Sequence, residues 1–151
     1  MTTSAQSTDA KGTFTDIDLT GDISNSVRGG GNASLQGQNL VLTFTGSTVE
    51  GVISASTTKH NVSTITSTEY REISEVTNTP SAVVNNGVIV TLGSGSNWTV
   101  TGTSYLSALT VASDATVTAA SGGTVTLTVD GTATELKAGS TYTGALTLTV
   151  P

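Results

Sequence analysis

The sequence predicts an all-β chain wound as a solenoid, a mainly parallel β-helix, and three observations carry that expectation. Short runs with a period of two recur along the chain: Val88 and Val90 alternate with Ile89 and Thr91, and Trp98 and Val100 with Thr99 and Thr101. That period marks strands with one buried face. Between Gly87 and Val111 such runs are separated by Gly, Ser and Asn corners. The corners come too close together for most sandwich strands but suit a chain that turns about an axis. Finally, a strand–corner–strand echo recurs as Leu19-Thr20-Gly21-Asp22-Ile23, Val49-Glu50-Gly51-Val52-Ile53, Val100-Thr101-Gly102 and Tyr142-Thr143-Gly144-Ala145-Leu146. Its glycines lie 30, 51 and 42 residues apart. If each longer interval holds two coils, a coil takes roughly 21–30 residues, within the range of stacked β-repeats.

Composition agrees with that shape and excludes several functions. The 151 residues are one domain's worth, 35% hydrophobic but only 4% aromatic, so the core is expected to be layers of Val, Leu, Ile and Ala. About a third of the chain is Ser or Thr. Threonine is β-branched and favours strands, so this polarity does not argue for disorder. The net charge is −6 and the five Lys and Arg residues do not cluster. Nucleic acid and anionic membranes need clustered cations, so neither is an expected partner. No apolar run has membrane-spanning length. The lack of cysteine rules out disulfides, thiolate zinc sites and a thiol nucleophile. The start, Met1-Thr2-Thr3-Ser4, lacks the charged and apolar regions of a signal peptide. Residues 1–11 are read as a flexible lead-in and 12–151 as one β-helix domain.

The elements follow in order. Residues 13–23, with apolar Phe14, Ile17 and Leu19, read as a strand, a Gly21 corner and the start of another strand. Residues 27–32 contain Gly29-Gly30-Gly31 and read as a turn. Residues 39–54 read as two strands about a Gly46-Ser47 corner, with a bend at Gly51. Residues 57–79 break the pattern. Tyr70, Ile73 and Val76 recur every third residue, which predicts a loop with a short helical turn leaving the solenoid wall, capped by Ser67 or Thr68. Strands are then expected over 88–92, 98–101, 105–111, 115–119, 124–129, 132–136 and 141–150. Asp130-Gly131 is a candidate two-residue hairpin turn.

Several segments carry a family resemblance: Asp18-Leu-Thr-Gly-Asp-Ile23, Thr48-Val-Glu-Gly-Val-Ile-Ser-Ala-Ser56, Glu75-Val-Thr-Asn-Thr-Pro80, Asn85-Asn-Gly-Val-Ile-Val90, Trp98-Thr-Val-Thr-Gly-Thr-Ser-Tyr-Leu106 and Thr141-Tyr-Thr-Gly144. From about residue 13 onward the chain resembles the C-terminal part of large secreted or surface, adhesin-like proteins of Gram-positive, often gut-associated, bacteria. The resemblance implies a right-handed parallel β-helix, an extracellular or cell-surface location and a structural or binding role. It brings no catalytic motif with it.

Candidate sites are few. Asp16, Asp18 and Asp22 gather carboxylates at a strand and its corner. Asp16 and Asp18 would share a face if both lay in one strand, and a hard cation such as Ca²⁺ takes several oxygens. The plainer reading is a solvated acidic face that discourages edge pairing. Glu69, Glu72 and Glu75 recur at helical spacing; they could serve as an acid/base or metal cluster, but such a run is more often one exposed face of a helical turn, with Arg71 as partial compensation. His60, beside Lys59, has no nucleophile elbow or triad order around it and reads as a surface histidine. Trp98 and Tyr105 are candidate ligand-binding rings, a platform on which a pyranose could stack, or else a cover for the core. Asn61-Val62-Ser63 and Asn97-Trp98-Thr99 match the glycosylation pattern.

The expected function is therefore non-enzymatic: a rigid extracellular β-solenoid of structural or adhesion type. Its partners would be a host or matrix glycan or protein, and further copies through the solenoid ends. A carbohydrate-binding module acting through Trp98 and Tyr105 is the alternative. Polysaccharide lyase or hydrolase activity stands behind both, since no paired carboxylates or calcium cluster with a base is evident.

Overall fold

A computed structural model describes residues 9–28, 38–64, 66–68, 70 and 75–151. In chain order the strands are β1 (Ala10–Thr15), β2 (Asp18–Thr20), β3 (Ile23–Arg28), β4 (Leu40–Thr45), β5 (Thr48–Gly51), β6 (Ile53–His60) and β7 (Val76–Pro80). They continue as β8 (Val88–Leu92), β9 (Asn97–Val100), β10 (Ser104–Val111), β11 (Thr116–Ala119), β12 (Thr126–Val129), β13 (Thr132–Thr134) and β14 (Ser140–Thr149). Three sheets result, ordered β1-β4-β8-β10-β14-β12-β13, β11-β9-β5-β2 and β3-β6-β7. The chain is all-β, as the alternation predicts.

The ladders show how successive segments lie on one another. β1 pairs with β4, β2 with β5 and β3 with β6, always parallel, and in each pair the partner lies 30 residues on: Ala10 faces Leu40, Asp18 faces Thr48, Ile23 faces Ile53. The first interval of the sequence echo is thus a true register. In the next layer Leu40 faces Val88 and Thr48 faces Asn97, intervals of 48 and 49. In the layer after that, Ile89 faces Ala108 and Asn97 faces Thr116, an interval of 19. The long interval accommodates residues 61–87, within which β7 folds back antiparallel on β6. The short one arises because β10 starts beside the third sheet and then crosses to the first. Tyr105 N donates to Ser54 Oγ of β6 at 2.9 Å, and residues 108–111 join β8.

A fixed offset stacks like side chains on like. Phe14 lies over Phe44 with ring centroids 5.0 Å apart and planes 14° from parallel, a stacked aromatic pair. Leu92 and Val111 continue that column. Leu42, Val90 and Leu109 form a second, and Leu19, Val49, Trp98 and Val117 a third. The inner members are buried while the outermost, Phe14, Leu19 and Val117, are only partly covered. Asparagine also enters the interior. Asn25 Nδ2 donates to Gln38 O at 3.0 Å and Gly87 O at 2.9 Å. The buried Asn86 donates to Asn25 O at 2.7 Å and Ser56 O at 3.2 Å, and accepts from Val84 N at 2.7 Å. These amides satisfy carbonyls that would otherwise be left over inside.

The far end departs from the expected succession of parallel rungs. β12 and β13 form an antiparallel hairpin on Asp130-Gly131, whose φ values of 50° and 79° are those of the anticipated two-residue turn. β14 runs antiparallel between β10 and β12. A hairpin closes on two residues, whereas another parallel rung needs a crossover of a dozen or more. The Tyr142-Thr143-Gly144 echo belongs to this antiparallel strand. The Gly102 echo also misses its place, because Val100 and not Gly102 faces Gly51.

Three further boundaries differ. β1 begins at Ala10, inside the expected lead-in, because Ala10 N already donates to Asn39 O at 2.9 Å. β3 extends to Arg28, where a turn was expected from residue 27, and residues 29–32 of that turn lie outside the described residues. β6 runs to His60, and Val76, assigned to a helical turn by its spacing, opens β7. Strand pairing outweighs a weak three-residue periodicity here. Ile73 lies outside the described residues.

Candidate functional site

Trp98 sits in the middle of the third column, between Val49 and Val117, and is fully buried. Its Nε1 donates to Gly51 O at 3.0 Å, so both the ring and its polar edge are committed. Tyr105, in β10, is partly covered and packs against the core. The expected stacking platform is therefore corrected: Trp98 has no face to offer a sugar. The alternation that marks β9 also places Trp98 on its buried side, and that signal outweighs the rarity of the ring.

The three aspartates of the expected cation site are not a ligand set. Asp16 does not share a strand with Asp18. It lies at the corner between β1 and β2 with φ 53°, and its carboxylate sits against Gly46. Asp18 is exposed in β2. Asp22 Oδ1 accepts from Val52 N at 2.8 Å. Among the described residues no three His, Asp or Glu side chains come together to hold a metal ion. The carboxylates serve the backbone instead. Asp9 Oδ1 accepts from Asn39 N at 3.0 Å and Asp130 Oδ1 from Ala145 N at 2.8 Å. Asp114 Oδ2 accepts from the Ser94 hydroxyl at 2.6 Å and from Gly95 N at 3.2 Å. The Ser94 hydroxyl is the main reason its carboxyl is held below the usual range. Each ties a corner to the neighbouring segment of the stack, an electrostatic clasp at a place where the ladder has no bond to offer.

Glu69, Glu72 and Arg71 lie outside the described residues, and Glu75 is exposed just before β7. The described part of this region forms a cleft of about 690 Å³ between the end of β6, the turn after it and β7, lined by Thr57, Thr58, Lys59, His60, Val62, Ser63 and Thr79. His60 is the last residue of a strand rather than a loop histidine. It is half-buried, and its Nδ1 is shielded from solvent and has no hydrogen-bond partner among the described residues. Sequence reasoning assigned His60 to the surface. The available signal was the Lys59-His60 pair at the end of a hydroxyl-rich run, but only the return of β7 makes a cleft of it. Both glycosylation-type asparagines are tied down, Asn61 Oδ1 by Thr77 Oγ1 at 2.6 Å and Asn97 Oδ1 by Thr116 Oγ1 at 2.5 Å.

A second feature is an edge. Among the described residues β1, β2 and β3 are each the terminal strand of their sheet, so no described strand covers that end of the stack. Ala10 N and Asp16 N donate inward, to Asn39 O and Thr45 O. The alternation of a parallel strand therefore turns the N–H groups of Lys11, Thr13 and Thr15 outward. Phe14, Leu19 and Ile23 are half-buried there, whereas Phe44, Val49 and Ile53, one layer in, are fully covered. Comparison with protein-family models, curated proteins and solved structures gave no match to this chain.

Proposed function

We propose that this chain is a non-enzymatic structural module of extracellular, adhesin type, a right-handed parallel β-helix whose open end associates with a further β layer. The observation that carries the reading is the set of parallel ladders with one shared 30-residue offset across three sheets. Crossovers between parallel strands of one sheet are right-handed in nearly all cases, and that preference supports the right-handed winding. Stacked columns and ladders make such a shaft stiff, and stiffness is what a stalk or presenting module needs. The low charge and the Ser/Thr-rich exterior suit a surface-exposed protein. The family resemblance noted above implies the same setting.

Association is assigned to the β1–β2–β3 edge and not to the opposite end, where the antiparallel β14, β12 and β13 extend one sheet past the other two. Unpaired strand edges beside half-covered apolar side chains are templates for pairing. Sedimentation velocity over a range of concentrations tests this. The wild type is expected to shift reversibly toward a larger species, and Thr13→Pro, which deletes an outward N–H and leaves the β1–β4 ladder intact, should remain monomeric. A wild type that stays monomeric at every concentration contradicts the association.

A further inference from the structure

The geometry points to a second use of this chain, separate from end-to-end association: the cleft at the end of β6 binds a saccharide that carries a carboxylate. The lining supplies the first reason. It combines the ammonium of Lys59, the imidazole of His60 and the hydroxyls of Thr57, Ser63 and Thr79, with no carboxylate among its described residues. The described lining thus carries a cation and no anion in a chain of net charge −6, and a cation favours a ligand of the opposite sign.

Uncommitted polar groups are the second reason. Among the described residues Lys137 pairs with Glu135, and Lys59 has no ion-pair partner. His60 lines the cleft, and among the described residues its shielded Nδ1 has no hydrogen-bond partner. A sugar hydroxyl both donates and accepts, so it can meet the hydroxyls of the lining. Thr57 and Thr79 face each other across the β6–β7 ladder, and no other described side chain occupies their hydroxyls, whereas Thr58 is spent on Asn78 Oδ1 at 2.6 Å. A row of free hydroxyls beside a cation matches a polyol bearing an acid.

Size is the third. A cleft of about 690 Å³ lies in the range of small-molecule sites, and a lone inorganic anion would leave most of it unfilled. Val62 and the threonine methyls give the apolar wall against which a ring's C–H face can lie.

His60 is the only histidine, so its ring resonances report on this cleft alone. A glucuronate-containing disaccharide titrated into the labelled full chain is expected to shift them along a saturating curve in the millimolar range or tighter. The matching glucose disaccharide should bind about tenfold more weakly, and Lys59→Gln should cost the acidic ligand a similar factor, as expected for losing a charged hydrogen bond. Lys137→Gln, which removes a cation elsewhere, should change nothing. Lys59 is exposed, so the backbone amide spectrum of Lys59→Gln should overlay the wild type. The proposal is overturned by the absence of saturable shifts, by equal response to the neutral disaccharide, by sulfate reproducing the shifts at the same affinity, or by unchanged binding in Lys59→Gln.

Discussion

Gly51→Ala is expected to destabilise the fold by roughly 3–5 kcal/mol, the sum of backbone strain and overpacking at one position. Gly51 ends β5 with φ 153°, and a Cβ placed on it would overlap the carbonyl oxygen of Gly21 in the neighbouring layer. That oxygen belongs to main chain and cannot swing away as a side chain could. Relief would have to come from moving β2 and β5 apart, which also pulls Gly51 O from Trp98 Nε1. Gly131→Ala is the control. Its φ of 79° is equally foreign to alanine, but nothing lies within 4 Å of the added atom. It should cost only the conformational share, about 1–2 kcal/mol. Urea unfolding of the two variants separates these contributions. Equal losses would show that the layers do not approach as closely at Gly51 as described.

Trp98→Ala should cost a similar amount, about 3–5 kcal/mol, because it empties the centre of a column and the neighbours above and below are held by their ladders. The variant also strands the Gly51 carbonyl. Trp98→Phe keeps most of the apolar contact and loses the donor, so its cost should fall to about 1–3 kcal/mol, the range for a buried group left unpaired. Unfolding midpoints by circular dichroism read both variants without depending on the tryptophan signal. A loss below about 1 kcal/mol in Trp98→Ala, the level of ordinary surface substitutions, would remove Trp98 from the core. It would also reopen the stacking role set aside above.

Much of the fold was legible because its determinants are local. Val88–Leu92 and Leu40–Thr45 alternate cleanly, and both strands have the bounds that alternation predicts. The Leu19–Ile23 and Val49–Ile53 echo gave the 30-residue register because side chains that stack on one another in a parallel ladder resemble each other. Asp130-Gly131 announced its hairpin because few residues accept two consecutive positive φ values. What stayed hidden depends on partners far along the chain. Nothing within residues 57–60 says that Val76–Pro80 will return to pair with them, and the periodicity of Tyr70, Ile73 and Val76 suggested another structure. Tyr142-Thr143-Gly144 looks like a coil corner until β14 is seen running the other way between β10 and β12.

The candidate sites were less legible for a related reason. Composition singled out Trp98 for its rarity, yet its place in the alternation had already assigned it to the interior. The aspartates were close in sequence, but Asp16 and Asp22 lie at separate corners, Asp16 against Gly46 and Asp22 accepting from Val52 N, and not beside one another. The His60 cleft depends on an antiparallel return that no short motif encodes.

Interstrand nuclear Overhauser contacts test the layered parallel winding most directly. Hα–HN contacts are expected between β1 and β4 at an offset of 30, between β4 and β8 at 48, and between β8 and β10 at 19. Strong Hα–Hα contacts should be confined to the antiparallel pairs, β6–β7, β10–β14, β12–β14 and β12–β13. Hα–Hα contacts between β1 and β4 or between β4 and β8 would mean antiparallel neighbours, and the account of a wound, layered shaft would be wrong.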